Sequence, residues 1–114
     1  MWFVGFYTTK ADGSELQIGP YQGALLACGT ISFGAGVCGT AAATGLTQVV
    51  DDVHAIENYI SCDDDTKSEI VVPIFMGVGA GRRLFGVLDI DSDRLAAFDS
   101  DDRVMLERLV AEFF

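Results

Sequence analysis

A chain of 114 residues with 7 Lys and Arg against 17 Asp and Glu carries a formal net charge of −10. That balance excludes a nucleic-acid partner, whose phosphates need a basic surface, and an anionic membrane surface for the same reason. Half of the residues are apolar and 21 % are charged, the proportions of one globular domain over residues 1–114 with a modest core. No apolar run approaches the ~20 residues that a membrane helix needs. Met1–Tyr7 is apolar but has neither the basic start nor the cleavage site of a secretory signal. These features place the chain in the cytoplasm, where its cysteines are expected to rest reduced.

In chain order, Trp2–Thr9 alternates as a strand, with Phe3, Gly5 and Tyr7 on one face and Trp2, Val4 and Phe6 on the other. Asp12–Gly13 marks a turn, Leu16–Ile18 the returning strand of a hairpin, and Leu25–Ile31 a third short strand. Gly34–Gly36 opens an alanine-rich helix over Val37–Thr44, stopped by Gly45. Thr47–Val50 is a brief extended piece, followed by an acidic, irregular stretch through Asp65. Glu69–Phe75 and Leu84–Asp91 are strong strands joined by a hairpin loop over Gly77–Arg83. The spacing predicts a last helix over Ser100–Phe113, with Asp99 as N-cap and acids in its first turn. Met105, Leu109 and Phe113, with Leu106 and Val110 beside them, are its expected buried stripe. The sum is an α+β domain with a central, mostly antiparallel sheet flanked by helices.

Cys28, Cys38 and Cys62 are odd in number and contain no CxxC, which argues against a finished disulfide framework. His54 is the only histidine, so neither a metal site nor any cofactor is expected. Taken alone, the three cysteines read most simply as buried structural thiols. The acids are unevenly placed. Asp63, Asp64 and Asp65 follow Cys62, and six more aspartates lie between Asp89 and Asp102. Most such charges belong to solvated faces. Asp89 and Asp91, however, stand at i and i+2 of a strand, so both carboxylates leave one face while Leu88 and Ile90 point to the core.

The strings FVGFY, GPYQG, GVCGTAAATG, TQVVDDVH, SEIVVPI and GVLDIDS occur in that order. Together they closely resemble the free methionine-(R)-sulfoxide reductases, enzymes built on a GAF-type domain, from about Phe3 to Leu109. The resemblance implies a GAF-like fold and thiol-dependent reduction of free L-methionine-(R)-sulfoxide to methionine, with thioredoxin as reductant. It makes Cys62 the nucleophile and gives Cys28 and Cys38 the work of resolution or shuttling, in an order it leaves open. A thiol can attack a sulfoxide sulfur and become a sulfenic acid, and a second thiol then condenses with it to a disulfide that an external dithiol reduces. Cys38, near a helix start, is expected to have a lowered thiol pKa. Cys62 precedes three aspartates, which disfavour its thiolate unless the fold turns them away.

The resemblance also joins Glu69 to Asp89 and Asp91 as three substrate-binding carboxylates. Acids crowded into one pocket cannot all ionise, so a proton is retained near neutrality for donation to the sulfoxide oxygen. The same acids would pair with the α-ammonium of a free amino acid, which a peptide-linked residue lacks. The family walls the substrate's methyl group with a tryptophan four residues before a tyrosine. Here these positions are Phe3 and Tyr7, with Trp2 one residue earlier on the opposite face.

Two further departures stand out. Tyr59 replaces a histidine that the family usually carries ahead of the nucleophile. The family also has a helix before its first strand that this chain is expected to lack, which would expose an apolar sheet face or have it covered by pairing as a homodimer. The alternative reading of the whole chain is a non-catalytic GAF module that binds a small ligand or senses oxidation.

Overall fold

In the computed structural model, which describes residues 1–114, strand β1 (Trp2–Thr9) lies between β2 (Glu15–Gly23) and β6 (Arg83–Ser92). β5 (Ser68–Met76) pairs with the far side of β6, and the short strands β3 (Thr30–Ser32) and β4 (Gln48–Val50) form the edges. The result is one six-stranded sheet, β3-β2-β1-β6-β5-β4, in which every pairing is antiparallel. Helix α1 (Gly36–Thr44) packs on one face and α2 (Ser100–Phe113) on the other. This is the expected α+β architecture.

Each face has its own core. Phe3, Tyr7, Val71 and Val87 meet Val37, Cys38 and Ala41 of α1. Ile70, Val72, Ile74 and Leu88 meet Leu106 and Val110 of α2. Burying an aliphatic side chain of this size stabilises by about 1.5–3 kcal/mol. Pro73 sits inside β5 yet breaks no ladder, because β4 pairs only with residues 69–71 and leaves that edge free beyond them. α1 ends at Gly45, whose φ of +71° and N–H to the Ala41 carbonyl form a left-handed cap. α2 starts with the capping box expected of Asp99, which exchanges side-chain and backbone bonds with Asp102 at 2.9 and 3.0 Å.

Three expectations are corrected. The returning strand does not stop at Ile18 but runs on to Gly23 beside β1, with a register shift between Gly5 and Tyr7. The third strand is not Leu25–Ile31; only Thr30–Ser32 is extended in the sheet. Residues 24–28 send their backbone N–H groups elsewhere: Ala24 and Leu25 to the Trp2 carbonyl, Leu26 to Asp63 and Cys28 to the Tyr7 hydroxyl. A segment satisfied in this way has no donors left for a ladder. Finally, the buried stripe of α2 is Leu106 and Val110 alone; Met105, Leu109 and Phe113 are 60 %, 48 % and 70 % exposed. Rows at i and i+4 start from both 105 and 106, and a helix lying on one sheet buries only the row turned toward it.

Candidate active site

The α1 face of the sheet carries a row of side chains that run across three strands. Glu69 of β5 stands opposite Asp91 of β6, and Asp91 opposite Phe3 of β1; in the next row inward, Val71, Asp89 and Gly5 are aligned. Strand alternation therefore brings Glu69, Asp89 and Asp91 to one spot, at 6 %, 3 % and 8 % exposure. The absence of a side chain at Gly5 is part of the geometry. A Cβ there would lie 2.6 Å from Phe3 Cζ, because the Phe3 ring folds over this position and stacks on Tyr21 at 5.7 Å.

α1 closes the spot from above. Gly39 lets the helix approach so closely that a Cβ would stand 2.4 Å from the Ser32 carbonyl oxygen, and this contact seats the preceding residue, Cys38, over the acids. Its thiol donates to Glu69 Oε2 at 3.8 Å. Cys38 Sγ and one oxygen each of Glu69 and Asp89 lie within 4.8 Å of one another, the nearest approach to a metal-ligand set in the molecule. A cation would bind there only against the protons these buried groups retain.

Burial, first of all, raises the pKa of each acid. Asp91 is pushed up to about 9, with the neighbouring Asp89 adding to the effect of desolvation. Glu69 and Asp89 are held well above the ordinary carboxylate range, chiefly by desolvation. The three carboxyls thus keep protons between them at neutral pH. The ion pairs of the molecule, Met1–Asp93, Lys10–Glu15 and Arg103–Glu107, all lie away from the cluster. Asp89 Oδ1 and Asp91 Oδ1 accept from no N–H or hydroxyl group of the protein; the hydrogen bonds at these acids run among the carboxyls themselves, which share the retained protons.

The roof of the site is a pair of loops. Cys28 and Cys62 are joined by a disulfide across 34 residues, their Cα atoms 5.1 Å apart, while Cys38 is free and buried. Only Cys38 therefore matches the expectation of thiols at rest. The loops are also tied without sulfur: Asp63 accepts the Leu26 N–H at 2.7 Å and the Asp65 N–H at 2.8 Å, and Asp64 accepts the Ser61 hydroxyl at 3.0 Å. Asp63 is held below the usual carboxylate range by those backbone bonds. Two of the three acids after Cys62 thus face loop donors. Cys28 itself is positioned by its N–H, which donates to the Tyr7 hydroxyl at 3.1 Å.

One cleft is lined by Tyr7, Cys38, Cys62, Glu69, Asp89 and Asp91 together. Phe3 and Cys28 do not line it. Phe3 is fully buried behind Tyr7, their ring centroids 6.5 Å apart, and Trp2 is half exposed on the other face. The lowered pKa expected for Cys38 is reversed. Although it stands in the first turn of α1, its thiol is pushed well above the ordinary value, by burial first and then by Asp89 and Glu69. A helix end moves a thiol only modestly, whereas complete desolvation beside three acids dominates. Tyr59, Ile60 and Thr66 also line the cleft and were not singled out as site residues from sequence. The available signal was their place within a few residues of Cys62.

Comparison with known proteins identifies the family of this fold. Residues 3–113 match the GAF domain family. The free methionine-R-sulfoxide reductase of Saccharomyces cerevisiae is 48 % identical over 108 residues, which are 94 % of this chain and 58 % of the yeast protein. The solved structure of the free methionine-R-sulfoxide reductase of Neisseria meningitidis in complex with its substrate superposes with a TM-score of 0.85 at 46 % identity, covering 96 % of this chain and 62 % of that one. The type II enzyme of Thermoplasma acidophilum superposes at 0.81 with 33 % identity, covering 98 % and 80 %. The chain spans about three-fifths of the length of the curated relatives it matches.

Proposed function

Since the chain belongs to the GAF domain family, in the group of its free methionine-R-sulfoxide reductases, we propose that it reduces free L-methionine-(R)-sulfoxide to methionine. In this reading Cys62, released from its disulfide, attacks the sulfoxide sulfur while the acid cluster protonates the oxygen. Methionine leaves and the oxygen stays on Cys62 as a sulfenic acid. Cys28 then condenses with it, expelling water, and an external dithiol such as thioredoxin supplies two electrons and two protons to restore both thiols. Cys28 is the first resolving residue because it is the cysteine joined to Cys62. Cys38, neutral and bonded to Glu69, is a reserve thiol rather than a ready nucleophile.

The observation that carries this reading is a disulfide placed over buried acids that keep their protons. Protonated oxygen makes the sulfoxide sulfur electrophilic, a form of general acid catalysis worth roughly 10²–10⁴-fold in rate. The Asp89 and Asp91 oxygens, which no N–H or hydroxyl of the protein reaches, suit the α-ammonium of a free amino acid, and Tyr7 offers an apolar ring to the methyl group, with Phe3 packed behind it. With the disulfide closed, the cleft leaves about 20 Å³, room for a water molecule and far too little for an amino acid. In this reading the closed form is the oxidised product of turnover, and its reduction opens the loops to substrate.

A coupled assay tests the proposal. With thioredoxin, its reductase and NADPH, the protein should consume NADPH when free methionine-(R)-sulfoxide is the oxidant, and at least 100-fold more slowly with the S epimer or with the N-acetylated, C-amidated substrate. A protein that cycles its disulfide but consumes no reductant with the free R epimer is a redox sensor, and the proposal fails.

A further inference from the structure

The disulfide has to be met by its reductant from outside, and its two sulfurs stand in different surroundings. Cys62 lines the cleft over the acid cluster and Cys28 does not. The closed cleft admits a water molecule but no thiol. On the outer side, Cys62 is followed by Asp63, Asp64 and Asp65, whose charge repels an incoming thiolate. Cys28 lies in the segment ALLACGT, residues 24–30, which has no charged side chain. Gly29 beside it is exposed, and a Cβ built there would meet nothing within 4 Å. The approach to the bond is therefore open and neutral at Cys28 and acidic at Cys62.

Apolar ground borders the same bond. Leu26 stands two residues before Cys28 and is 67 % exposed, and Ile60 stands two residues before Cys62 and is 39 % exposed. Two residues span at most about 7 Å of chain, so both side chains lie beside the disulfide. Leu26 is also fixed there, because its N–H donates at 2.7 Å to Asp63, the residue next to Cys62. The core does not need it: its neighbour Leu25 is the residue that packs inward, at 2 % exposure.

We propose that this border, with Leu26 at its centre, is the docking surface for a thioredoxin-type protein dithiol, and that the partner attacks the sulfur of Cys28. The proposal rests on the thiol cycle of the reductase reading above and names where its external reductant acts. The partner that fits is a protein whose reactive thiol is ringed by apolar groups, since a small dithiol gains nothing from exposed aliphatic side chains. Its thiolate bonds to Cys28 Sγ as the Cys28–Cys62 bond breaks, and the electron pair leaves on Cys62. The acid cluster, which lines the same cleft as Cys62, gives that sulfur a proton and recovers one from water. The partner's second thiol then attacks its own sulfur in the mixed disulfide and expels Cys28, which takes up the proton that thiol gives up. The dithiol ends as a disulfide, and Cys28 and Cys62 end as thiols. Cys62 is thus freed in the first step, inside the cleft, and never carries the partner.

Two measurements on the oxidised protein test this, and neither needs methionine sulfoxide. In the first, a thioredoxin whose second cysteine is replaced by serine reacts with the protein while N-ethylmaleimide caps the thiol released, and mass spectrometry maps both. The partner should sit on Cys28 and the maleimide on Cys62; the partner on Cys62 overturns the proposal. In the second, Leu26→Ser keeps the backbone bond to Asp63 but removes the apolar contact. The second-order rate constant for reduction by intact thioredoxin should fall about fivefold or more, while that for dithiothreitol stays within about twofold. An unchanged rate constant with thioredoxin, in a variant that melts with the wild type, overturns the docking surface. An equal loss with dithiothreitol does so too, because it places the effect in the disulfide itself. A protein that thioredoxin reduces through Cys28, but that consumes no reductant with free methionine-(R)-sulfoxide, supports this inference while overturning the reductase reading, so the two failures are distinct.

Discussion

Strands β5 and β6 present two faces to two helices, and the faces could hardly differ more. Toward α2 they turn Ile70, Val72, Ile74 and Leu88, a layer with no titratable group. Toward α1 the same strands turn Glu69, Asp89 and Asp91, buried nearly as deeply as the aliphatics on the other side. One face releases free energy by removing apolar area from water. The other gives some of it back by desolvating three acids. Residues that alternate along a single strand thus divide the labour: the α2 face holds the sheet together so that the α1 face can be poised for chemistry at a cost in stability.

If this division is right, damage to the α1 face should abolish activity without unfolding the protein. Cys62→Ser is the extreme case. A hydroxyl cannot cycle through a sulfenic acid, so turnover in the coupled assay should fall below a few per cent of wild type, with an unchanged far-ultraviolet circular dichroism spectrum. Activity near wild type would move the nucleophile to another cysteine.

The acids come next. Glu69→Gln, Asp89→Asn and Asp91→Asn should each slow turnover by roughly 10²–10⁴-fold. Because the three act as one proton-sharing unit, a double mutant should lose little more than either single mutant. Losses that multiply would mean that the acids act independently. A comparable lesion on the other face should do the reverse. Leu106→Ala removes a buried side chain under α2 and should cost about 2–4 kcal/mol in denaturant unfolding, with kcat/KM per folded molecule unchanged within about twofold.

The last expected effect concerns pH, and its sign separates the faces. The folded-state pKa of Asp91 is raised to about 9 from an ordinary value near 4, so between those limits the folded protein binds a proton that the unfolded chain has released. Stability must therefore fall as pH rises through that window, being fully present only below the unfolded value. Glu69 and Asp89 act in the same direction. Melting temperature should decline from pH 6 to pH 9, and Asp91→Asn should flatten the decline. An unchanged slope in that variant would show that Asp91 is ionised well below pH 9. The core under α2 contains nothing to titrate, so Leu106→Ala should lower the whole curve without tilting it.

Much of the first-level organisation was legible from residues alone. The alternation of Trp2–Thr9 and of Leu84–Asp91, the glycine that stops α1 and the Asp99 cap of α2 are local signals. They involve neighbours one to four residues apart, and the folded chain carries each of them. The pairing of Asp89 with Asp91 on one face follows from the two-residue period of a strand. The long-range facts were not legible that way. The stretch after Leu25 has a strand's composition, but Asp63 and Tyr7, distant in sequence, take its backbone donors and turn it into a loop. Met105, Leu109 and Phe113 have a helix's apolar spacing, but which of two adjacent rows is buried depends on how α2 rolls against β5 and β6. Cys38 stands in a helix's first turn, yet what its thiol experiences is set by Glu69 and Asp89, thirty-one and fifty-one positions away. The sequence by itself determined periods, caps and the identities of the reactive groups, because those depend on covalent geometry and near neighbours. Only the tertiary structure decided which thiols meet, which acids keep their protons and which side chains line the cleft, because desolvation and contact are properties of the packed chain.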